Sequence, residues 1–445
     1  MLSTNHRHKQ SPIQQLHRAF QQYLYMPDPT PLHAAVVTYI ANLLPGNPVW
    51  MMLVGPPSCG GTSILNTFRG LPGIVQCGDV SIGGLLSATS KKDKSKQATG
   101  GLLMELLNRD DGTKWGVINA KDFTSTLTLD QQERKKVLGA LKEIYDGHWD
   151  RNKGVDGGLH LTWSGKAGFI TKCTEMIDDH RQDMTVMGDR FIYCRYAPTD
   201  GIGEASKALS NGSGSELMEA NLRDTMKDFL DVVLPHDWEH VVLSRKLLVE
   251  EHELEVILKH EDVAKLAGLS IFAARGRGFV KRHQFTREVE RIEHESPGRI
   301  AGQLRMILLA SKIAGLKYSD TWKLVDRIVW SCLPKPRQVI LQAMMDLDKG
   351  NGKVGSPHDF KSIMLMIDRH YGGCGDETFM RRCMQELILQ GLVTEWVKGN
   401  VEMGSSNGDG KAHMNNDGGK EGGRGMSGVA KKYRLSKLML KNIGL

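Results

Sequence analysis

The segment "VGPPSCGGTS" (54–63) has the residue types of a loop that wraps the phosphates of a nucleotide. Gly55, Gly60 and Thr62 fit the pattern G-x-x-x-x-G-K-[ST], and Gly61 stands where that pattern has lysine. An apolar run precedes the loop and a predicted helix follows it. Glycines let backbone N–H groups turn towards phosphate, and the Ser or Thr holds magnesium. The alternative is a glycine-rich turn between strand and helix that binds no ligand.

The absence of a lysine at position 61 affects the expected rate of nucleotide hydrolysis. The lysine of the common pattern neutralises the β- and γ-phosphates. Because charge stabilisation in the transition state is most of what such enzymes supply, losing this contact costs about a hundredfold or more in rate. Lys121, Lys166 and Lys172 lie in or beside neighbouring predicted strands and are candidates for a replacement cation. The sequence alone does not place their ammonium groups.

A carboxylate follows the second predicted strand. Asp122 ends "WGVINAKDF" (115–123), at the position where phosphate-loop ATPases carry the acid that holds the magnesium shell. Phe123 replaces the glutamate that usually follows this acid, and Glu143 is a candidate for the missing base. The alternative is an acid at a strand end that faces solvent.

Two threonines end a later predicted strand, "LTWSGKAGFITKCT" (161–174). A hydroxyl of Thr171 or Thr174 at the end of this strand suits a group that senses the γ-phosphate or orients water. The alternative is a hydroxyl that bonds the backbone.

Two arginines are candidates for anion contacts. Arg190, in "MGDRFIYCRYAP", would reach a neighbouring subunit's nucleotide as an arginine finger; otherwise it is a surface arginine beside Asp189. Arg299 lies in the first turn of the helix predicted from "ESPGRIAGQL", where the helix dipole disfavours a cation. That mismatch indicates an anionic partner such as phosphate, or an ion pair with Glu293 or Glu295.

Strand and helix patterns divide the chain into four predicted domains. Their alternation over 49–198 predicts an α/β domain with a mostly parallel sheet. Two helices are predicted in the segment before it, 1–48, and long helical segments occupy 199–317 after a Gly- and Ser-rich linker. The last domain, 318–445, contains a Gly/Asn/Ser-rich insert at 403–428 that we expect to be flexible.

The last domain has the pattern of a winged helix, a relative of the helix-turn-helix. Three predicted helices, "KPRQVILQAMMDL", "HDFKSIMLMIDRHYG" and "DETFMRRCMQELILQGLV", precede two short strands, "VTEWVKG" and "KKYRLS". Basic residues suited to DNA phosphate contacts lie on the third helix and the strands, namely Arg381, Arg382, Lys398, Lys431, Lys432 and Arg434. The alternative is a winged helix that contacts protein and has a solvated basic face.

The bulk composition limits the class of protein. With 445 residues, 40% of them hydrophobic and 24% charged, the chain resembles soluble proteins of more than one compact unit. Its net charge of +7 is compatible with a polyanionic partner. The seven cysteines form no C-x-x-C pair, the N-terminus lacks the apolar core of a signal peptide, and "PGNP" breaks the longest apolar stretch. We therefore expect a cytoplasmic protein without a membrane segment.

The motifs occur in an order that resembles a group of bacterial and mobile-element ATPases of AAA+ type, with a helicase- or replication-like layout. The segments that carry the resemblance are "VGPPSCGGT", "ATGGLL", "KDFTSTL", "LKEIYDGHW", "LTWSGKAGFI", "MGDRFIYCRY" and "ESPGRIAGQL", and the similarity covers about residues 13–400. The resemblance implies an α/β fold with a P-loop AAA+ type parallel sheet, a helical lid and a C-terminal winged-helix domain.

The resemblance also implies roles for individual residues. Asp122 would be the Walker B acid, Thr174 would lie near sensor 1, Arg190 would be the arginine finger and Arg299 the lid arginine. Thr62 and Asp122 would hold Mg²⁺ beside ATP, and ATP would lie between the subunits of a ring-type homo-oligomer. The Walker A loop would comprise Gly55, Pro56, Pro57, Ser58, Cys59, Gly60, Gly61, Thr62 and Ser63.

Three functions fit these features. The first is an AAA+ type motor or switch that acts on DNA during replication or mobilisation of a genetic element. The second is a DNA-binding scaffold that binds nucleotide without turnover, or binds none. The third is a winged-helix transcription regulator with an inert α/β domain.

Overall fold

The chain is divided into two compact units in the computed structural model. The first is made of Met1–Ala273 and Ser296–Cys332, and the second of Ala274–Glu295 and Leu333–Leu445. The residues that the structure describes are 11–87, 99–154, 158–188, 190–197, 200–211, 215–244, 246, 248, 259–372, 375–396 and 431–444. The insert predicted at 403–428 lies outside them.

The two units do not follow the predicted domain boundaries throughout. The described residues of the predicted N-terminal segment (1–48) and α/β domain (49–198) lie in the first unit. Residues 318–332, assigned from sequence to the C-terminal domain, also lie there. Residues 274–295, assigned from sequence to the helical domain (199–317), belong to the second unit.

A seven-stranded sheet forms the centre of the first unit. Five strands run parallel in the order β2-β4-β6-β1-β7, while β3 pairs antiparallel with β4 and β5 with β6. This confirms the predicted α/β class with a mostly parallel sheet. The strands are β1 (Trp50–Val54), β2 (Ile74–Cys77), β3 (Leu107–Asn108), β4 (Lys114–Ala120), β5 (His148–Lys153), β6 (Leu159–Cys173) and β7 (Ile192–Arg195).

Helices pack around this sheet, and two of them end where the sequence places prolines. The first helix stops before "MPDPT" and the second before "PGNP", because proline lacks the N–H that a helix needs. The helices are α1 (Pro12–Tyr23), α2 (Thr30–Leu43), α3 (Gly61–Asn66), α4 (Ile82–Leu85), α5 (Leu102–Glu105), α6 (Thr124–Leu127), α7 (Gln131–Tyr145), α8 (Arg181–Met187), α9 (Gly201–Asn211), α10 (Ser215–Val233), α11 (Trp238–Leu243), α12 (His260–Arg277), α13 (Gly298–Ile313) and α14 (Tyr318–Ser331). The last residues of α12 belong to the second unit.

The segment at 199–216 differs from its prediction. Its glycines and serines predict a linker, but most of it is helical, in α9 and at the start of α10. Among the described residues, none of the helices combines the length and the apolar composition needed to cross a membrane.

The apolar core explains why β1 is a continuous run of large side chains. All five residues of β1 are buried, as expected for a strand covered on both faces. Trp50, Met52 and Val54 belong to a cluster with Leu141 and Ile144 of α7. Met51 and Leu53 point to the opposite face, because side chains alternate along a strand. The core therefore holds the start of the glycine loop in a fixed position.

The second unit contains the helices and strands predicted for the C-terminal region. The strands β10, β12 and β11 form a small antiparallel sheet in that order, and β8 pairs with β9. The β8–β9 pair, β10 and the last helix were not predicted from sequence. The elements are β8 (Phe279–Arg282), β9 (Val289–Glu293), α15 (Lys335–Asn351), β10 (His358–Asp359), α16 (Phe360–His370), α17 (Glu377–Leu389), β11 (Val393–Trp396), β12 (Lys432–Leu435) and α18 (Lys437–Ile443).

Candidate functional site

The glycine loop connects the end of β1 to the start of α3. Gly60 has a φ angle of 79°, a left-handed conformation that glycine adopts at little cost, and Ser58 has a φ of 69°. The Gly55 amide donates to the Cys173 carbonyl at 3.1 Å, which joins the loop to the end of β6. Within the described parts of the chain, no group accepts a hydrogen bond from the amides of residues 58–63. The loop therefore offers several unused donors to an anion.

Tyr196 explains why positions 55 and 61 are glycine. A Cβ at Gly55 would lie 2.9 Å from the Tyr196 backbone oxygen, and a Cβ at Gly61 would lie 2.4 Å from its phenol oxygen. The Tyr196 amide donates to the Val54 carbonyl at 2.9 Å, so the residue is tied to the end of β1. Burial raises the pKa of the Tyr196 phenol, which keeps it neutral. The loop thus follows a path that only glycine fits at two points.

A cavity of about 400 Å³ lies beside the loop, within the roughly 300–1,000 Å³ range of ligand pockets. Residues 55–63 all line it. Asp122, Lys172 and Thr174 line it from the carboxyl edge of the sheet. The structure therefore brings the predicted Walker A loop, the predicted magnesium acid and the predicted sensor threonine to one cavity.

Asp122 follows β4 and is positioned by the backbone around it. Its Oδ1 accepts from the Thr124 amide at 3.0 Å. The next amide, that of Phe123, donates to the Lys172 carbonyl at 2.8 Å, which ties the end of β4 to the end of β6. Among the described groups, Oδ2 of Asp122 has no hydrogen-bond partner. Asp122 and the exposed Thr62 thus supply oxygen atoms of the kind that Mg²⁺ prefers.

Thr174 is held by a second threonine. Its amide donates to Oγ1 of Thr124 at 3.2 Å, and the residue lines the cavity. Thr171, the other candidate, is buried, and its hydroxyl lies 3.4 Å from the Lys172 carbonyl. Of the two threonines only Thr174 faces the cavity, so it is the one placed to contact a ligand.

Lys172 is the lysine, among the three candidates, that lies at the cavity. Its Cδ is 3.3 Å from the position of a Cβ at Gly61. Lys166 instead donates to the Leu44 carbonyl at 2.6 Å. Lys121 does not line the cavity, and neither does Glu143, which is exposed on α7.

Arg190 and Arg299 form a separate cluster. Nη2 of Arg190 lies 2.6 Å from Oδ2 of Asp146, and the Arg190 side chain is 3% exposed. Nη1 of Arg299 donates to the Gly188 carbonyl at 2.5 Å. Both guanidinium groups lie near the Tyr145 ring, at 5.5 and 5.9 Å from its centroid. Neither arginine lines the cavity, and Arg190 precedes β7 at the amino edge of the parallel strands, opposite the loop.

The described residues among the predicted DNA contacts lie in the second unit and have neighbours of their own. Arg381 pairs with Glu377 at 2.6 Å, and Lys431 pairs with Glu395 at 3.2 Å. Aromatic rings or a hydroxyl contact the others: Arg382 lies 5.8 Å from the Phe379 centroid, Lys432 lies 6.0 Å from the Trp396 centroid, and Arg434 lies 3.4 Å from Oγ1 of Thr394. Lys398 lies outside the described residues.

Sequence reasoning missed several parts of the cavity wall, among them Thr124, Tyr196 and Met218. Another is the end of α1, where Tyr23 and Tyr25 line the cavity. A further one is α9, which contributes Glu204, Lys207 and Ala208. A signal for the α1 segment was present, because two tyrosines stand at the end of a helix and precede prolines, but nothing in the sequence connects that segment to the loop.

Comparison with known proteins gives a distant similarity. No protein-family model matches the chain, and no curated protein matches it. Among solved structures the chain is similar to one from Cytophaga hutchinsonii that is described as a "putative ATPase", with 13% sequence identity and a TM-score of 0.33. The match covers 71% of this chain and 85% of that chain. The geometry of the cavity, and not this similarity, supports the function proposed for the chain.

Proposed function

We propose that the first unit is an ATP-binding domain of P-loop AAA+ type. The observation that carries the proposal is the single cavity that combines the whole glycine loop with Asp122, Thr174 and Lys172. Unused loop amides, a hydroxyl and a carboxylate are the groups that a magnesium–triphosphate site needs. An inert turn between strand and helix would not require these groups to share one cavity.

The residues have distinct roles in this proposal. The amides of residues 58–63 bind phosphate oxygens, and Thr62 and Asp122 hold Mg²⁺. Bound Mg²⁺ neutralises charge on the phosphates. Thr174 lies where a hydroxyl can contact the terminal phosphate or a water molecule. The aromatic residues Tyr23 and Tyr25 form an apolar wall suited to the base.

The second unit is proposed to bind DNA as a winged helix. Helices α15, α16 and α17 followed by the β11–β12 pair are the elements of that motif. Arg381 and Arg382 on α17 and Lys431, Lys432 and Arg434 around β12 would contact phosphates, with Lys398 as a further candidate. Arg382 forms no ion pair with a carboxylate among the described residues, which leaves its charge available to DNA.

The proposal extends to a ring-type homo-oligomer in which Arg190 contacts the nucleotide of a neighbouring subunit. Its position at the edge opposite its own loop suits a contact with another subunit. Asp146, its present partner, has a side chain that is 54% exposed, so the pair reaches the surface. On assembly, the ion pair between Arg190 and Asp146 would break, and Arg190 would pair with a phosphate of the neighbouring subunit's nucleotide. Arg299, beside it, would stabilise the same anion.

The nucleotide site is tested by measuring ATP affinity with and without Mg²⁺. Asp122→Asn should remove most of the gain in affinity that Mg²⁺ gives, because the amide is a poor replacement for a carboxylate ligand. The control is Asp179→Asn, which removes the same charge from an exposed residue that does not line the cavity. If the wild-type chain does not bind ATP, the proposed function is wrong.

A second experiment separates the three possible activities. A motor acting on DNA releases phosphate faster when DNA is added, and Asp122→Asn abolishes this release. A scaffold shows no turnover but assembles with ATP. A regulator binds one DNA sequence with an affinity that does not change with nucleotide. We favour the first, because Asp122 and Thr174 lie at the cavity together.

A further inference from the structure

We propose that Lys172, at the end of β6, provides the cation that the glycine loop lacks at position 61. This inference rests on the proposed function, since it assigns the triphosphate-binding charge of the same cavity. It replaces a lysine within the loop by one from the neighbouring strand.

The register of the sheet places Lys172 beside the loop. β6 runs parallel to β1, and Lys172 pairs with Leu53, one residue before the end of β1. Cys173, the next residue, accepts the Gly55 amide, so the loop begins against the end of β6. The position of Lys172 is therefore fixed by backbone hydrogen bonds on both sides.

The side chain of Lys172 occupies space that a lysine at position 61 would use. Its Cδ lies 3.3 Å from the Cβ position built at Gly61. The stem of Lys172 thus passes close to the point from which a side chain at position 61 would start. An ammonium on this stem can reach the region that the lysine of the common pattern serves.

The charge of Lys172 is available to a ligand. Within the described parts of the chain, no hydrogen bond or ion pair engages its ammonium. The residue is half-buried and lines the cavity. A half-buried cation without a partner is stabilised when an anion binds beside it.

Lys207 is the other cation that lines the cavity. It lies on α9, and no contact places it beside Gly61. It therefore serves as a matched control, because its replacement removes the same charge from the same cavity.

The test compares affinities for ATP, ADP and AMP in wild type, Lys172→Gln, Lys172→Arg and Lys207→Gln. We expect Lys172→Gln to weaken ATP binding about tenfold to a hundredfold, as for a lost charge-assisted hydrogen bond. AMP affinity should stay the same, because the loop lysine of such sites serves the β- and γ-phosphates. Lys172→Arg should recover part of the loss, and Lys207→Gln should change ATP affinity less than Lys172→Gln.

The outcomes are distinguishable from a failure of the proposed function. If wild type binds ATP and Lys172→Gln binds it equally well, the assignment of Lys172 is wrong and the ATP site stands. Equal losses for ATP and AMP would also overturn the assignment, because they indicate a change in the structure of the cavity. If wild type binds no nucleotide, both proposals fall together.

Discussion

At position 61, the absence of a side chain is a consequence of crowding. A Cβ at position 61 would lie 2.4 Å from the Tyr196 phenol oxygen and 3.3 Å from Cδ of Lys172. Restoring the common pattern at this position would therefore require both neighbours to move.

Gly61→Lys is predicted to weaken ATP binding, and not to create a stronger site. The Cβ of the new lysine would lie 2.4 Å from the Tyr196 oxygen. Overpacking of this kind costs about 1–3 kcal/mol of folding free energy when the loop keeps its present path. Titration calorimetry with ATP measures the effect. Adding Tyr196→Phe, which removes the clashing oxygen, should recover part of the loss. Tighter binding in Gly61→Lys alone would contradict the prediction.

Lys166 gives the first unit a pH dependence above neutrality. Burial lowers the pKa of Lys166 to about 7, from its usual value of 10.5. Between these two values the unfolded chain holds a proton that the folded chain has lost. Unfolding then takes up a proton at Lys166, so the contribution of this residue to the free energy of unfolding rises with pH across this window.

Lys166→Met should remove this contribution to the pH dependence of stability. The slope of the free energy of unfolding against pH is expected to fall by up to about 1.4 kcal/mol per pH unit. Denaturant titrations between pH 7 and 10.5 measure it. The slope is the relevant quantity, because the folded amine is neutral across this window and losing its hydrogen bond to Leu44 changes stability by the same amount throughout it. An unchanged slope would show that the ammonium is charged in the folded chain.

The residues of the loop were predictable because their signal is local. Gly55, Gly60 and Thr62 stand at fixed spacing between an apolar strand and a helix, and Asp122 ends another apolar strand. The choice among Lys121, Lys166 and Lys172 was not predictable in this way. It depends on which residue of β6 lies beside Leu53, and the sequence does not contain that register.

At the scale of elements, α9 forms a wall of the cavity beside the glycine loop. Its glycines and serines favour a linker by composition, but Tyr25 packs within 2.5 Å of the position of a Cβ at Gly203. Gly203 therefore allows α9 to approach the end of α1 closely. Tertiary packing of this kind outweighs local propensity, which is why the structure has a helix where the sequence predicted a linker.

Ala208→Phe is predicted to reduce ATP affinity by filling the cavity. Ala208 lines the cavity, whereas Ala205 is exposed on the same helix and does not line it. Ala205→Phe therefore has the same effect on helix propensity without occupying ligand space. The binding of a fluorescent ATP analogue compares the two variants. Equal affinities would show that α9 does not enclose the ligand.

At the scale of the whole molecule, the chain passes between its two units three times. The breaks fall after Ala273, Glu295 and Cys332. The helical region and the C-terminal region were predicted as consecutive domains, because the sequence gives no sign that 274–295 folds with residues after 332. The proposed nucleotide and DNA functions nevertheless each lie within one unit.

DNA binding by the second unit should depend on salt through its basic residues. Lys432→Gln and Arg434→Gln are each expected to weaken binding for all sequences and to reduce the slope of log affinity against log salt by about 1. Lys349→Gln, on α15, removes the same charge from a residue that pairs with Asp346. Fluorescence anisotropy at several salt concentrations gives the slopes. Identical slopes in all three variants would indicate that β12 does not contact DNA.

The end of α1 has a practical consequence. Tyr23 and Tyr25 border the cavity and are followed directly by the proline-rich turn that leads to α2. Chymotrypsin cleaves after tyrosine, and an occupant of the cavity would shield these two bonds from it. The rate of cutting at this point therefore reports occupancy on the unlabelled, unmodified chain, and fragment masses identify the bond.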